Sequence, residues 1–445
     1  MKTNKKSNFT AALIALGVIS LASAAQANTT VYLVGASALR TTIYAAATTP
    51  GVIFTGAGTI VSPSPNNTSS ATYITYEGII NGQTVDIDAY FTGAEAAVAD
   101  VAGNPLPETL NNTTIPGGGG VGTFPVPGTP ATFLTPASGW KTTATLANIP
   151  GAPALPDLAL DDTSQAVSLT SKAQYPLTDF GALAIVPFGF LKGYEKTPDA
   201  TWSNVVNVTT AQINQLYSAP HAASFVTGIS SDSSESVALT GRNFSSGTRV
   251  NALLTAQRPI TSTVDQYFYD VNYNTPGTLG AGTNYGNPGA ILDGLNDGFN
   301  TAGPAAAQLN FDGTGQGVVL VEPLAVPDAV SAYQPASSVI AAGGGPATYL
   351  SYNGVYESDQ GVINGSYPFW GYEHIFGSVG QSPTSIQYLT GQALANGVKT
   401  FIATNGSGTA TGAVGPVYHA QSSVIPVSLL QVTRAGDGGF PVPNN

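Results

Sequence analysis

The chain has 445 residues, 42% of them hydrophobic and 9% charged, with 52 glycines, 31 prolines and no cysteine. That hydrophobic share supplies a core and excludes a disordered chain, while the glycine and proline content demands long loops. A net charge of −12 argues against nucleic acid and anionic membrane surfaces, and the lack of cysteine removes disulfides, thiolate metal sites and thiol catalysis.

Residues 1–27 read as a signal peptide: Lys2, Lys5 and Lys6, an apolar run from Ala11 to Ala24, then the small-x-small site Ala25-Gln26-Ala27. Without those lysines the balance is 10 basic against 25 acidic residues, or −15. No later stretch offers about eighteen uninterrupted apolar residues, so the mature chain is expected to be periplasmic or extracellular, without membrane insertion. With no cysteine, a lipoprotein anchor is not expected either.

In chain order, Thr30 to Val34 is a β-rich run ending at Gly35-Ala36-Ser37-Ala38, and Leu39 to Ala47 reads as a helix. Such a turn suits an ordinary strand-to-helix connection and equally an anion-binding one. Thr72 to Ile80 and Thr84 to Phe91 flank Asn81-Gly82, a strong hairpin signal. Phe91-Thr92-Gly93-Ala94-Glu95 then leads into a helical run, Ala96 to Val101, with Glu95 placed to complement the helix dipole. Residues 103–151 are rich in Pro, Gly and Thr and read as a surface insertion. Their run Gly117 to Gly120 lacks the flanking strand and helix that a dinucleotide loop requires.

Pro156 to Ser164 reads as a short strand running into Asp161-Asp162, adjacent carboxylates of the kind found in solvated turns or at N-caps. Phe180 to Phe190 predicts a central buried strand, and Val208 to Leu216 an amphipathic helix capped by Thr209 or Thr210. After a strand at Ser236 to Thr240 comes Arg242-Asn243-Phe244-Ser245-Ser246-Gly247-Thr248, then a helix from Arg249 to Gln257. Unpaired amides at a helix start, its dipole, hydroxyls and a guanidinium together suit an oxyanion. Taken alone, the same Ser-Gly-Thr also fits an ordinary N-cap.

Residues 261–315 form a second loop-rich stretch, with a short helix predicted at Gly289 to Phe299. Strands follow at Gly317 to Val321 and Ala347 to Tyr352, then a hairpin-like unit from Val362 to Trp370, a helix from Ser382 to Asn396 and a last β-like run, Ser423 to Val432. This alternation predicts an α/β architecture with mostly parallel sheets flanked by helices and a ligand crevice at the carboxyl ends of the strands. The turns at Ser37, Thr92, Asp162 and Arg242 to Thr248 each follow a strand and precede a helix.

These residues resemble a family, the periplasmic phosphate-binding proteins of ABC transporters, within the two-lobed solute-binding proteins of class II type. Arg242-x-x-x-Ser246-Gly247-Thr248 has the spacing of the family's phosphate loop, and Asp157-Leu158-Ala159-Leu160-Asp161-Asp162 is similar to its Asp-Phe-Gly-Ala-Ser-Asp strand end. Leu33 to Tyr44 resembles the opening strand and helix, Phe91 to Val98 the Gly-Ser-Ser-Gly-Gly loop, and Asn364-Gly365-Ser366-Tyr367-Pro368 the returning Asn-Gly-Thr-Tyr-Pro segment. The likeness comes in islands separated by insertions, and only the arginine loop is specific.

The resemblance implies two lobes closing on a ligand: residues 28–178 with 345–445, and residues 179–344, with Phe180 to Phe190 at the crossing. It places ligand contacts on Arg242, Ser246, Gly247, Thr248, Asp162, Ser37, Ala38, Thr92 and Gly93. The ligand would be inorganic phosphate or a related oxyanion, passed on to an ABC permease by a monomeric chain without cofactor or metal. The chain also departs from the pattern. Asp161 stands where the family has serine, Leu39-Arg40 where it has Thr-Phe, and Thr92-Gly93-Ala94-Glu95 where it has Gly-Ser-Ser-Gly. Two polar donors are thus lost, and two extra carboxylates would repel phosphate if they faced the site.

A second class is a binding-protein fold turned to surface or adhesive use, in keeping with the low charge and Gly/Thr/Asn-rich insertions. A third, an enzyme, has little to build on. His221, His374 and His419 are widely separated and lack metal or nucleophile motifs, and a metal held by Asp161, Asp162 and Glu95 is the remaining route.

Overall fold

The computed structural model describes residues 28–61, 73–91, 93–103, 156–269, 285–286, 291–293, 298–299, 302–405, 424–434 and 436–444. The predicted signal peptide and nearly all of the predicted 103–151 insertion lie outside these residues. The β-rich runs form β1 (Thr29–Gly35), β2 (Thr59–Val61), β3 (Tyr73–Ile80), β4 (Gln83–Phe91), β5 (Leu158–Asp161), β6 (Leu177–Lys192) and β7 (Asn207–Val208). The later ones form β8 (His221–Ala222), β9 (Ser236–Leu239), β10 (Tyr267–Tyr269), β11 (Ile291–Asp293), β12 (Val318–Ala325), β13 (Thr348–Tyr352) and β14 (Trp370–Ser378). Among the described residues, twelve of these strands form one sheet, ordered β2-β3-β4-β1-β5-β14-β6-β12-β9-β8, with β13 added beside β6 and β7 beside β13.

Strand β6 holds this arrangement together because it is 16 residues long. Leu177 to Pro187 pair with β14, while Phe188 to Lys192 pair with β12 and Phe190 to Lys192 with β13. One strand thus carries two wings. The first has parallel pairing at β4-β1-β5, and the second at β9-β12 and β7-β13. Antiparallel pairing joins them through β6 and forms the β3-β4 hairpin, whose turn residue Asn81 takes the left-handed conformation (φ 49°) that Asn-Gly predicts. Strand β6 tolerates burial because Leu183 to Phe188 are apolar and covered on both faces, as a strand under helices must be. The helix Ile386–Asn405 packs on it from the first wing and the helix Val326–Tyr333 from the second.

Local signals explain some helix boundaries. The helix Thr210–Leu216 is capped by Thr209, one of the two candidates, in a capping box, Thr209 accepting from the Gln212 amide and Gln212 Oε1 from the Thr209 amide. The helix predicted from Arg249 starts two residues earlier, as Gly247–Thr255.

Three readings are corrected. Ile291–Asp293 is a strand, not part of a helix, because it pairs antiparallel with Tyr267–Tyr269; a short apolar run takes its conformation from its partner. The unit at Val362 to Trp370 is not a hairpin. Ser358 caps a helix, Asp359–Asn364, that Gly365 ends, and strand β14 starts at Trp370. In the last β-like run, Ile425 makes only an isolated bridge to Ile185 before Val427–Leu429 turns as a 3-10 helix, because Pro426 has no N–H to continue a ladder.

Candidate anion-binding cleft

The arginine loop is fixed by its own backbone before any ligand enters. Beyond β9, the Arg242 segment bridges in parallel to Phe299, and Arg242 Nε donates to the Phe299 carbonyl at 3.2 Å, which sets the direction of the guanidinium. Gln266 donates to the Arg242 carbonyl at 3.1 Å, and the Ser246 amide closes a turn onto the Asn243 carbonyl. The helix then begins at Gly247. Its N-cap, Ser246, is in extended conformation and makes no side-chain capping bond, so its hydroxyl is not spent on the helix.

The first wing supplies three further turns. Strand β1 ends at Gly35, whose φ of 143° and close approach leave no room for a side chain; a Cβ there would lie 2.2 Å from the Leu160 carbonyl oxygen. The chain can therefore press against β5 before turning through Ser37 and Ala38 into the helix Arg40–Thr48. Gly93 is the N-cap of the helix Ala94–Ala102, and the Glu95 amide donates to the Ser245 carbonyl at 3.1 Å, tying this helix start to the arginine loop. Asp162 follows β5, and its carbonyl accepts from Asn251 Nδ2 at 3.0 Å, an amide group that also donates to the Gly247 carbonyl.

These turns enclose a cleft of about 350 Å³. Its wall includes Ser37, Ala38, Gly93, Asp162, Arg242, Ser246, Gly247 and Thr248, so the structure brings together eight of the nine site residues named from the sequence. The ninth, Thr92, lies outside the described residues. The wall also holds residues that the sequence reading missed: Arg40 and Thr41 from the helix Arg40–Thr48, and Asp328 and Ser331 from the helix Val326–Tyr333. Arg40 was noted only as a departure from a family pattern. Asp328 follows Pro327, which reads as a helix breaker but here occupies the first turn, where proline fits.

The charges around the arginine are arranged by burial. Arg242 is buried, which lowers its pKa, against the raising effects of Asp328, then Asp162, then Glu322. It still remains a cation at any ordinary pH. Burial raises Asp162, while the Glu373 carboxyl beside it and the nearby Arg242 lower it. Glu373 is pushed well above the usual carboxylate range by burial and by Asp162. Two carboxyl groups sharing one buried place disfavour double ionisation, and Glu373 is the more strongly raised of the two. Burial also raises Asp328, offset by Arg242 and Arg40.

The two extra carboxylates do not face the cleft. Glu95 is fully buried and accepts from Ser168 Oγ at 2.6 Å, from the Leu169 amide at 2.8 Å and from Thr163 Oγ1 at 3.1 Å. Glu95 does lie in the first turn of the helix Ala94–Ala102, where it complements the dipole, but it is buried. It also organises the segment after β5, and burial raises its pKa to about 7. Asp161 is likewise buried, with Oδ2 3.1 Å from the same Thr163 hydroxyl, so the reading of Asp161-Asp162 as a solvated turn is corrected. Neither side chain lines the cleft.

Among the described residues no group of three acidic, histidine or cysteine side chains is arranged to hold a metal. His221 and His374 do not line the cleft, and His374 Nδ1 pairs with Asp179 at 3.1 Å. His419 lies outside the described residues. No helix among the described residues is long and apolar enough to cross a membrane.

No protein-family model matches the chain, and no curated protein matches it. Solved structures similar to it include one described as a phosphate ABC transporter substrate-binding protein with bound phosphate from Clostridium perfringens, at 10% identity and a TM-score of 0.40, over 85% of this chain and 95% of that one. PstS from Borrelia burgdorferi matches at 10% identity and a TM-score of 0.34, over 85% of this chain and 98% of that one. An ABC-type phosphate transport receptor from Vibrio cholerae matches at 12% identity and a TM-score of 0.33, over 57% and 79%. Likeness at this level bears on neither the ligand nor a transporter.

Proposed function

We propose that this chain is an exported solute-binding protein that captures a protonated oxyanion, phosphate or a phosphoryl compound, in the cleft between its two wings. The observation that carries this reading is the convergence of Arg242, Ser246, Gly247 and Thr248 with Asp162, Ser37 and Gly93 on one cavity. A dehydrated oxyanion needs each oxygen satisfied, since an unpaired buried acceptor costs about 1–3 kcal/mol. Arg242 supplies a charge-assisted bond, Ser246 and Thr248 supply hydroxyls, and the first amides of the helix Gly247–Thr255 supply the rest. Asp162 accepts only, so it favours a ligand that still carries a proton and rejects sulfate, which has none to give.

In this reading the wings act as lobes that close about β6, and a permease reads the closed state. The protein acts as a monomer in the periplasm or outside the cell, without cofactor or catalysis. Calorimetric titration with inorganic phosphate tests the reading. The wild-type chain is expected to bind, and Arg242→Ala to bind at least about tenfold more weakly, equivalent to about 1.4 kcal/mol. Equal affinity in the two proteins would remove this site.

One observation favours a second reading, a binding fold turned to surface use: Asp328 lies close enough to Arg242 to be the charge that acts on it most strongly, partly neutralising the cleft from within. Equilibrium dialysis showing no uptake of phosphate or any phosphate ester would favour it.

A further inference from the structure

We propose that the cleft holds a zwitterionic phosphate monoester, whose phosphoryl group sits at the Arg242 to Thr248 turn and whose organic part places an ammonium group at Asp328. This rests on the reading above that the turn takes a phosphoryl group.

Size is the first support. The cavity of about 350 Å³ falls in the range of about 300–1,000 Å³ that organic ligands fill. Orthophosphate amounts to only a few waters, each with a share of about 30 Å³ of liquid volume. The remaining wall is not built for a bare anion, because Ala325, Pro327 and Val330 present apolar surface that suits a short carbon chain.

Charge is the second. Arg40 and Arg242 face the cleft together with Asp162 and Asp328, so the site is dipolar. Asp162 is accounted for by the Glu373 carboxyl beside it and by a ligand proton. Asp328 is half-buried on the wall; Arg242 and Arg40 act on it through space, but among the described residues neither forms a salt bridge with it. Arg40 does not close that gap, and its own buried Nε has no hydrogen-bond partner. A phosphate dianion at Arg242 would therefore meet Asp328 as a like charge in a desolvated place. A ligand ammonium turns the same carboxylate into a partner, and Ser331, one turn further along the helix, offers it a hydroxyl acceptor.

The test is calorimetric titration of the full chain with phosphoethanolamine, glycerol phosphate and inorganic phosphate, repeated on Asp328→Asn, with thermal unfolding as a check on folding. Phosphoethanolamine is expected to bind at least about tenfold more tightly than the other two, and D328N to bring all three within about threefold of one another. Equal binding of glycerol phosphate or inorganic phosphate by the wild-type chain overturns the proposal while leaving the anion site standing. So does a preference that survives in D328N. Absence of binding by all three compounds overturns the anion site and this proposal with it. If D328N does not fold, the wild-type comparison decides alone.

Discussion

Gly247 lies directly against the side chain of Asp162: a Cβ added at Gly247 would sit 2.8 Å from both Cβ and Oδ2 of that aspartate. The glycine of the arginine loop is therefore also the surface on which the acceptor of the other wing rests. Each turn positions the other, and neither makes a site alone.

Gly247→Ala should push Asp162 out of place. Overpacking at a closed contact costs about 1–3 kcal/mol, and the displaced carboxylate would no longer meet a ligand proton. The expected outcome is a lower midpoint in thermal unfolding together with at least about tenfold weaker phosphate binding. A variant that binds as tightly as wild type would show that Asp162 does not touch the ligand.

Asn251 connects the wings through one amide group, donating at 3.0 Å to both the Asp162 and the Gly247 carbonyls. Asn251→Ala leaves two buried carbonyls without this donor, at about 1–3 kcal/mol. Urea denaturation should show that loss as a lower midpoint with an unchanged slope. An unchanged midpoint would mean that water replaces the amide.

Stability should fall as the pH rises from about 5 to 8. Burial raises Glu95 to about 7, Asp88 to about 7, Asp157 to about 6 and Asp100 to about 8, each from below 5. A carboxyl group raised on folding binds its proton more tightly in the native state. The stability it confers is thus present below its unfolded pKa and lost as the pH passes up to its folded value. Each such group contributes a slope of up to about 1.4 kcal/mol per pH unit within its window. Thermal midpoints at pH 5 and pH 8 test this, and Glu95→Gln should flatten the profile between about 4.5 and 7. A chain more stable at pH 8 than at pH 5 would contradict the assignment.

The parts of the fold that could be read from the sequence are those specified locally. Asn81-Gly82 dictates its hairpin, Thr209 the cap of its helix, and the run around Leu183 to Phe188 a strand covered on both faces. Strand β14 was hidden because Glu373 and His374 interrupt its apolar pattern; His374 pairs with the distant Asp179, and the buried Glu373 lies beside Asp162. The same limit applies to the site. The arginine loop carries its chemistry in a contiguous stretch, whereas Asp328 and Arg40 acquire meaning only when separate helices meet at the cleft. Glu95 shows the same limit, since its place in a first helical turn is legible locally, whereas the segment from Thr163 to Leu169 that folds over it is not.

The central claim is that turns far apart in the chain gather around one phosphoryl group. A crystal structure of the protein grown with phosphate tests it most directly. The account predicts tetrahedral density within hydrogen-bond reach of the Arg242 guanidinium, the Ser246 and Thr248 hydroxyls and the Asp162 carboxylate, at about 2.6–3.2 Å. A cleft holding only water beside Arg242 at saturating phosphate, or an anion bound elsewhere on the surface, would contradict it.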